Sequence, residues 1–308
     1  MTEPSPKKSG QIKEKIGEWL NSEGYPLEFK TARAFREAGF HIRQGMHARD
    51  NQGAAREIDV LAEYTLRTNP GFVRISHTVE CKWSNDKPWV VFTSEDAQVA
   101  SSACINQTMA NPLGRAILWC LAGDTTLKNS SIFETPDRPG FAGRQCFSKQ
   151  DLFYNAMQSI ITSSTTLMDN FNHPVYRRNK GFPDAAWIIL PCIVIEGELF
   201  EVFQAEGADG LEIQPADRIR IHWRGAEARS HITHVDIIRA SHLPTFAKQR
   251  RAEVDKITNT ICNSKQNIEE CIRESSLDKL NITEGARGTL GLPPLLQEIK
   301  ERTKIEPK

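Results

Sequence analysis

Residues 57–64 (EIDVLAEY) and 72–83 (FVRISHTVECKW) alternate in character with a period of two, and an extended strand converts that period into two faces. In the first stretch Ile58, Val60, Ala62 and Tyr64 share one face. Glu57, Asp59 and Glu63 share the other, with Leu61 between them. In the second, Val73, Ile75, Val79, Cys81 and Trp83 lie together with His77, opposite Arg74, Ser76, Thr78, Glu80 and Lys82. If the two strands are neighbours with their apolar faces on the same side, Asp59, Glu80 and Lys82 converge on the other side.

A glutamate and a lysine two apart on a strand have an ordinary explanation, a solvated face. The competing explanation is chemical. Hydrolysis of a phosphodiester needs a cation that neutralises developing charge and acidifies the attacking water. Mg²⁺ is usually held through one or two carboxylates, keeping waters and substrate oxygens in its shell. Asp59 and Glu80 supply the carboxylates, and Lys82 can hold the water and offset phosphate charge.

Asp59, twenty intervening residues and then Glu80-Cys81-Lys82 resemble the D-xₙ-(D/E)-x-K signature of the PD-(D/E)XK nuclease superfamily. Over about residues 25–196 the element order also resembles that superfamily's core of helix, three strands, helix and strand. The resemblance implies an α/β fold, with a restriction-endonuclease-like core, an insertion, and helical N- and C-terminal additions. It implies an Mg²⁺-dependent nuclease, with Mn²⁺ as an alternative metal, that acts as an endonuclease and cuts DNA rather than RNA. The setting it implies is restriction, antiviral defence or repair. It places Asp59, Glu80 and Lys82 in catalysis and adds the backbone carbonyl of Cys81 to the metal ligands. Glu28, near the start of the first core helix, matches a glutamate that faces the site in Mrr-type members; an acid favoured by the helix dipole is the alternative. Glu57 and Gln158 are candidates for the surrounding shell. The sequence departs from the pattern in two places: no proline precedes Asp59, and Thr162 stands where an aromatic residue follows the helix glutamine.

The rest of the chain sets the frame. Of 308 residues, 39 are basic and 39 acidic, so bulk charge selects no partner and a nucleic-acid surface must be a local patch. Seven scattered cysteines without a CxxC pair, and no signal peptide, lead to the expectation of reduced thiols in a cytoplasmic protein. The apolar runs are too short to span a membrane. Residues 1–24 read as a tail and an amphipathic helix bearing Ile12, Ile16, Trp19 and Leu20. Residues 25–245 read as the nuclease-like domain, opening with a helix that Pro26 suits and Gly39 stops. Residues 93–149 form an insertion in which ETPDRPGFAGRQ reads as a surface loop. KQDLFYNAMQSIITSSTTLMDNF reads as a long helix, DAAWIILPCIVI as a buried strand, ELFEVFQ as a strand returning after Glu196-Gly197, and RIRIHW as another strand. Residues 246–308 read as a charged helical region and a route to a homo-oligomer or partner protein.

Several other residues invite a role. Arg138, Arg144, Arg177, Arg178, Lys248, Arg250 and Arg251 are candidates to meet phosphates, or ordinary solvated charges. Trp83 and Trp89 bracket the strand's exit as packing residues or stacking platforms. His231 and His234 fall on opposite faces of a strand and make no ligand pair. The alternative to catalysis is a nuclease-fold subunit without activity that binds nucleic acid or scaffolds a complex.

Overall fold

The structure is a computed structural model and describes residues 6–49, 53–68, 71–83, 87–95, 109–121, 127, 130–132, 136–172, 185–224 and 232–274. The expected helix over PPLLQEIKERTK, Arg177, Arg178 and His231 lie outside these residues.

The chain is a mixed α/β protein. Its described elements are α1 (Pro6–Ser22), α2 (Tyr25–Glu37), β1 (His41–Arg49), β2 (Ala55–Arg67), β3 (Phe72–Lys82), β4 (Trp89–Thr93), β5 (Met109–Ala110), α3 (Pro112–Leu121), β6 (Gly140–Gln145) and α4 (Leu152–Asn172). After α4 come β7 (Ala185–Ile195), β8 (Leu199–Gln204), β9 (Leu211–Pro215), β10 (Arg218–Arg224), β11 (Ile232–Arg239) and α5 (Leu243–Glu274). No described helix is long and apolar enough to cross a membrane.

The sheet is larger than a four-stranded core. Its eleven described strands run β1-β2-β3-β7-β11-β10-β6-β4-β8-β9, with β5 on the edge of β7. β1, β2 and β3 form an antiparallel meander. β7 then joins β3 in parallel over its whole length, from Phe72↔Ala185 to Lys82↔Ile195. β5 covers β7 at Ile188 and Ile189, and β11 takes over from Cys192 onward. The second half of the sheet hangs on a single parallel bridge, Ile221↔Gly140.

Three sequence expectations are corrected here. HIRQGMHAR was not expected as a strand, yet it is β1; polar residues flanking Gly45 hide the alternation that its pairing with β2 creates. Gly140–Gln145, within the expected surface loop, is β6 and pairs with β4. β8 does not fold back on β7. Gly197, at φ 110°, redirects the chain so that β8 runs parallel to β4, and the Trp89 N–H bonds the Glu198 carbonyl.

The apolar faces anticipated for β2 and β3 lead to the main core. Val60, Ala62, Val73, Ile75 and Val79 are buried there against Leu27, Ala34 and Phe35 of α2. α5 joins the same core through Phe246, Ala247, Val254, Ile257 and Ile261. Its docking is also ionic. Arg250, 1% exposed, pairs with Asp236 of β11 at 2.6 Å and with Glu253 at 2.8 Å, and Glu253 accepts the Ser131 N–H at 2.6 Å. Arg250 is therefore a core residue rather than a phosphate contact, and Arg251 lies over the Tyr64 ring at 4.0 Å. Trp89, 1% exposed, packs in the second core cluster.

Candidate active site

The β2–β3 ladder ends at Val60↔Val79. The next residue on each strand is an acid, Asp59 and Glu80, so both carboxylates sit where the strands part. Beyond that point the Cys81 N–H meets no β2 carbonyl and donates instead to Asp59 Oδ2 at 2.7 Å. Asp59 thus reaches the middle of the Glu80-Cys81-Lys82 triplet, with its orientation fixed by a backbone hydrogen bond.

Burial decides between the two explanations of that triplet. Glu80 is 6% exposed, so it does not lie on a solvated strand face. The polar face of β3 is roofed by α4, whose Ser164 hydroxyl lies 2.6 Å from that of Thr78 and whose Ser159 Oγ donates to Glu80 Oε2 at 2.8 Å. Lys82 Nζ donates to Glu80 Oε1 at 2.5 Å and keeps 30% of its side chain exposed. Each oxygen of Glu80 therefore has one partner, and the lysine marks the open side of the site. The Cys81 thiol points the other way, toward Thr31 Oγ1 at 3.5 Å, where burial pushes its pKa well up. It is held as a thiol and makes a poor nucleophile.

Like charges crowd this pocket. Burial, then the neighbouring Glu80 charge, raises the Asp59 pKa to about 7, against a smaller lowering from the Cys81 hydrogen bond. Glu28, in the first turn of α2, is also raised, by burial first and then by Glu57 and Glu80. Desolvation and juxtaposed carboxylates act in the same direction, both disfavouring the charged form. Hydrogen bonds thus tie Asp59 to the Cys81 backbone and Lys82 to Glu80, while Glu28 is near enough to feel Glu57 and Glu80, and Glu57 itself is exposed. Gln158 is exposed on α4. The contact from that helix comes instead from Ser159, one residue on, which the sequence did not single out.

Among the described residues, no group of three or more His, Cys, Asp or Glu side chains is arranged to hold a metal ion. The donors that do converge are the two carboxylates of Asp59 and Glu80, and such a hard-oxygen pair suits an ion that keeps most of its waters. No family model, curated protein or solved structure matches this chain.

Proposed function

We propose that this chain is a divalent-metal-dependent nuclease that hydrolyses phosphodiester bonds at Asp59, Glu80 and Lys82. The observation that carries the reading is the Asp59–Cys81 hydrogen bond: it brings a second carboxylate to the middle of the Glu80-Cys81-Lys82 triplet, next to the buried Glu80. Asp59 and Glu80 would hold Mg²⁺ or Mn²⁺, with the Cys81 carbonyl as a further oxygen donor and Glu28 beside them. When bound, the ion supplies charge neutralisation at the phosphate and acidifies a water.

The chain's own residues supply the rest. Lys82, bonded to Glu80 and open to solvent on one side, is placed to hold the attacking water and to meet a phosphate oxygen. Ser159 keeps Glu80 Oε2 pointed away from the strand, so the acid does not turn wholly toward the lysine. The raised pKa of Asp59 means that the site is protonated below about pH 7 until a cation displaces the proton. Nucleic acid is the substrate class, and the signature favours DNA.

The test is cleavage of plasmid, single-stranded DNA and RNA in Mg²⁺, Mn²⁺ and EDTA, with Lys82→Ala alongside. The expected result is metal-dependent cutting by the wild type and a loss of at least about a hundredfold in the variant. A wild type that binds these substrates but cuts none of them in either metal would overturn the proposal.

A further inference from the structure

β1 is one open edge of the sheet, and it is paired directly with the strand that carries Asp59. Its sequence, HIRQGMHAR, sets His41, Arg43, His47 and Arg49 at alternate positions and contains no acid. The one break in that row is Gly45. The ladder pairs Gln44 with Val60 and Met46 with Ile58, so Gly45 stands opposite Asp59, and that one pair is skipped. Gly45 holds a left-handed φ of 58°, and a β-carbon added there would meet nothing within 4 Å. Packing does not demand the glycine; the backbone conformation beside Asp59 does, and the space in front of it is open. Arg43 is held by Glu63, whereas the side chains of His47 and Arg49 are exposed and have no hydrogen-bond or ion-pair partner among the described residues. A charge on an edge strand can serve only to keep other strands away. That duty needs no glycine gap and no particular register, yet this row is centred on the acid.

We infer that the open edge of β1 carries the sugar-phosphate backbone of the substrate nucleic acid, with the bond to be cut beside Asp59 in front of Gly45 and the following phosphates on His47 and Arg49. The inference rests on the nuclease reading and names the part of the chain that holds its substrate. Charge favours a phosphate backbone over a strand of another protein. Over residues 41–56, three arginines and two histidines stand against one acid, Asp50, which lies outside the described residues. The acids that border the edge have their own places. Glu63 lies between Arg43 and Arg74, and Glu57, opposite His47, is close enough to Glu28 to raise its pKa. Glu57, Glu28, Asp59 and Glu80 repel phosphate at the site itself, so the groups that hold the backbone have to flank it, as His47 and Arg49 do. No strand intervenes between this edge and Asp59. Arg49 follows Gly45 by four residues, about 14 Å along the strand, so a backbone touching both stays within one ~34 Å turn of duplex.

The experiment is binding of fluorescent duplexes of two unrelated sequences to the full chain in EDTA, titrated from about 50 to 200 mM salt. The variants are Arg49→Ala, Arg49→Lys and Gly45→Asn, with Lys256→Ala, which removes an exposed charge on α5, as the control. Asparagine tolerates the left-handed backbone and fills the open space, so Gly45→Asn keeps the fold. Arg49→Ala should lower affinity by about three- to tenfold on both sequences and reduce the slope of log affinity against log salt by about one. Arg49→Lys and Lys256→Ala should bind as the wild type does. Gly45→Asn should bind about tenfold less tightly at an unchanged melting temperature. An unchanged salt slope in Arg49→Ala would overturn the inference, as would wild-type affinity in Gly45→Asn. So would a loss on one sequence alone, which is base reading, or altered sedimentation without altered binding, which is strand pairing on the open edge. Cleavage in Mg²⁺ scores the nuclease reading separately. A wild type that cuts while Arg49→Ala binds unchanged removes the inference and keeps that reading; binding that depends on Arg49 without any cutting removes that reading and keeps β1 as a nucleic-acid edge.

Discussion

Ser159 Oγ donates to Glu80 Oε2 across 2.8 Å, tying the long helix α4 to the strand that carries the acid and the lysine. Outer partners of this kind set the orientation of a metal ligand and commonly matter ten- to a hundredfold. Ser159→Ala is expected to raise the Mg²⁺ concentration needed for half-maximal cleavage by about tenfold. The melting temperature should fall modestly, because removing a donor from a buried carboxylate oxygen costs about 1–3 kcal/mol. A metal titration of cleavage reads the effect, and an unchanged titration curve would remove Ser159 from the site.

Asp59 offers a prediction with a definite sign. Its folded pKa of about 7 lies above the unfolded value near 3.8, with burial as the first cause and Glu80 as the second. Between those two values the folded chain holds a proton that the unfolded chain has lost. Stability therefore falls as pH rises through that window, by up to about 1.4 kcal/mol per pH unit. Asp59→Asn should abolish cleavage, leave nucleic-acid binding intact, and raise the melting temperature at pH 8 in EDTA, with the gain vanishing near pH 4. A variant less stable than the wild type at pH 8 would contradict this account.

Asp236 holds the C-terminal helix to the sheet. Arg218, Arg220 and Arg250 all bond it, and together they keep its carboxyl well below the usual carboxylate range despite its burial. Asp236→Asn leaves three guanidinium groups facing a neutral amide, and breaking such a buried pairing costs about 3–5 kcal/mol. The shift in urea midpoint measures it. Because the folded pKa is depressed, the stabilisation is present above the unfolded value and lost as pH falls below it. A change under about 1 kcal/mol would show that the network is incidental to docking.

His77 is a buried base in an aromatic box. Its ring lies 5.4 Å from Phe35, 5.2 Å from Phe40 and 6.5 Å from Phe246, and neither ring nitrogen has a hydrogen-bond partner among the described residues. Burial lowers its pKa to about 3, so it stays neutral in the fold. Replacing an unsatisfied polar group by an apolar one of similar size is neutral or favourable. His77→Leu is expected to stabilise by about 1 kcal/mol at pH 7. The gain should grow as pH drops below 6.5, where the unfolded histidine of the wild type takes up a proton. Calorimetry at pH 7 and pH 5 tests it, and a destabilised variant would show that the ring's shape matters more than its polarity.

Much of the site could be read along the chain, because strand alternation is a local property. The parity of residues 57–64 and 72–83 puts Asp59, Glu80 and Lys82 on the polar sides of their strands, and the apolar spacing of residues 25–37 and 152–172 marks α2 and α4. Pairing order was not legible in the same way. β1 and β6 carry weak alternation and become strands only because β2 and β4 offer them open edges. Glu196-Gly197 reads as a hairpin turn, but the edge that β8 meets belongs to β4. The choice between Gln158 and Ser159 depends on how α4 is rotated over β3, which packing at Ile160, Leu167 and Met168 sets. The sequence by itself determined which acids and which lysine share a strand face, since that follows from the backbone's two-residue repeat. Only the tertiary structure decided that α4 covers this face at Thr78 and Glu80, and that Asp59 reaches the Cys81 N–H. Those are long-range contacts, and no local period encodes them.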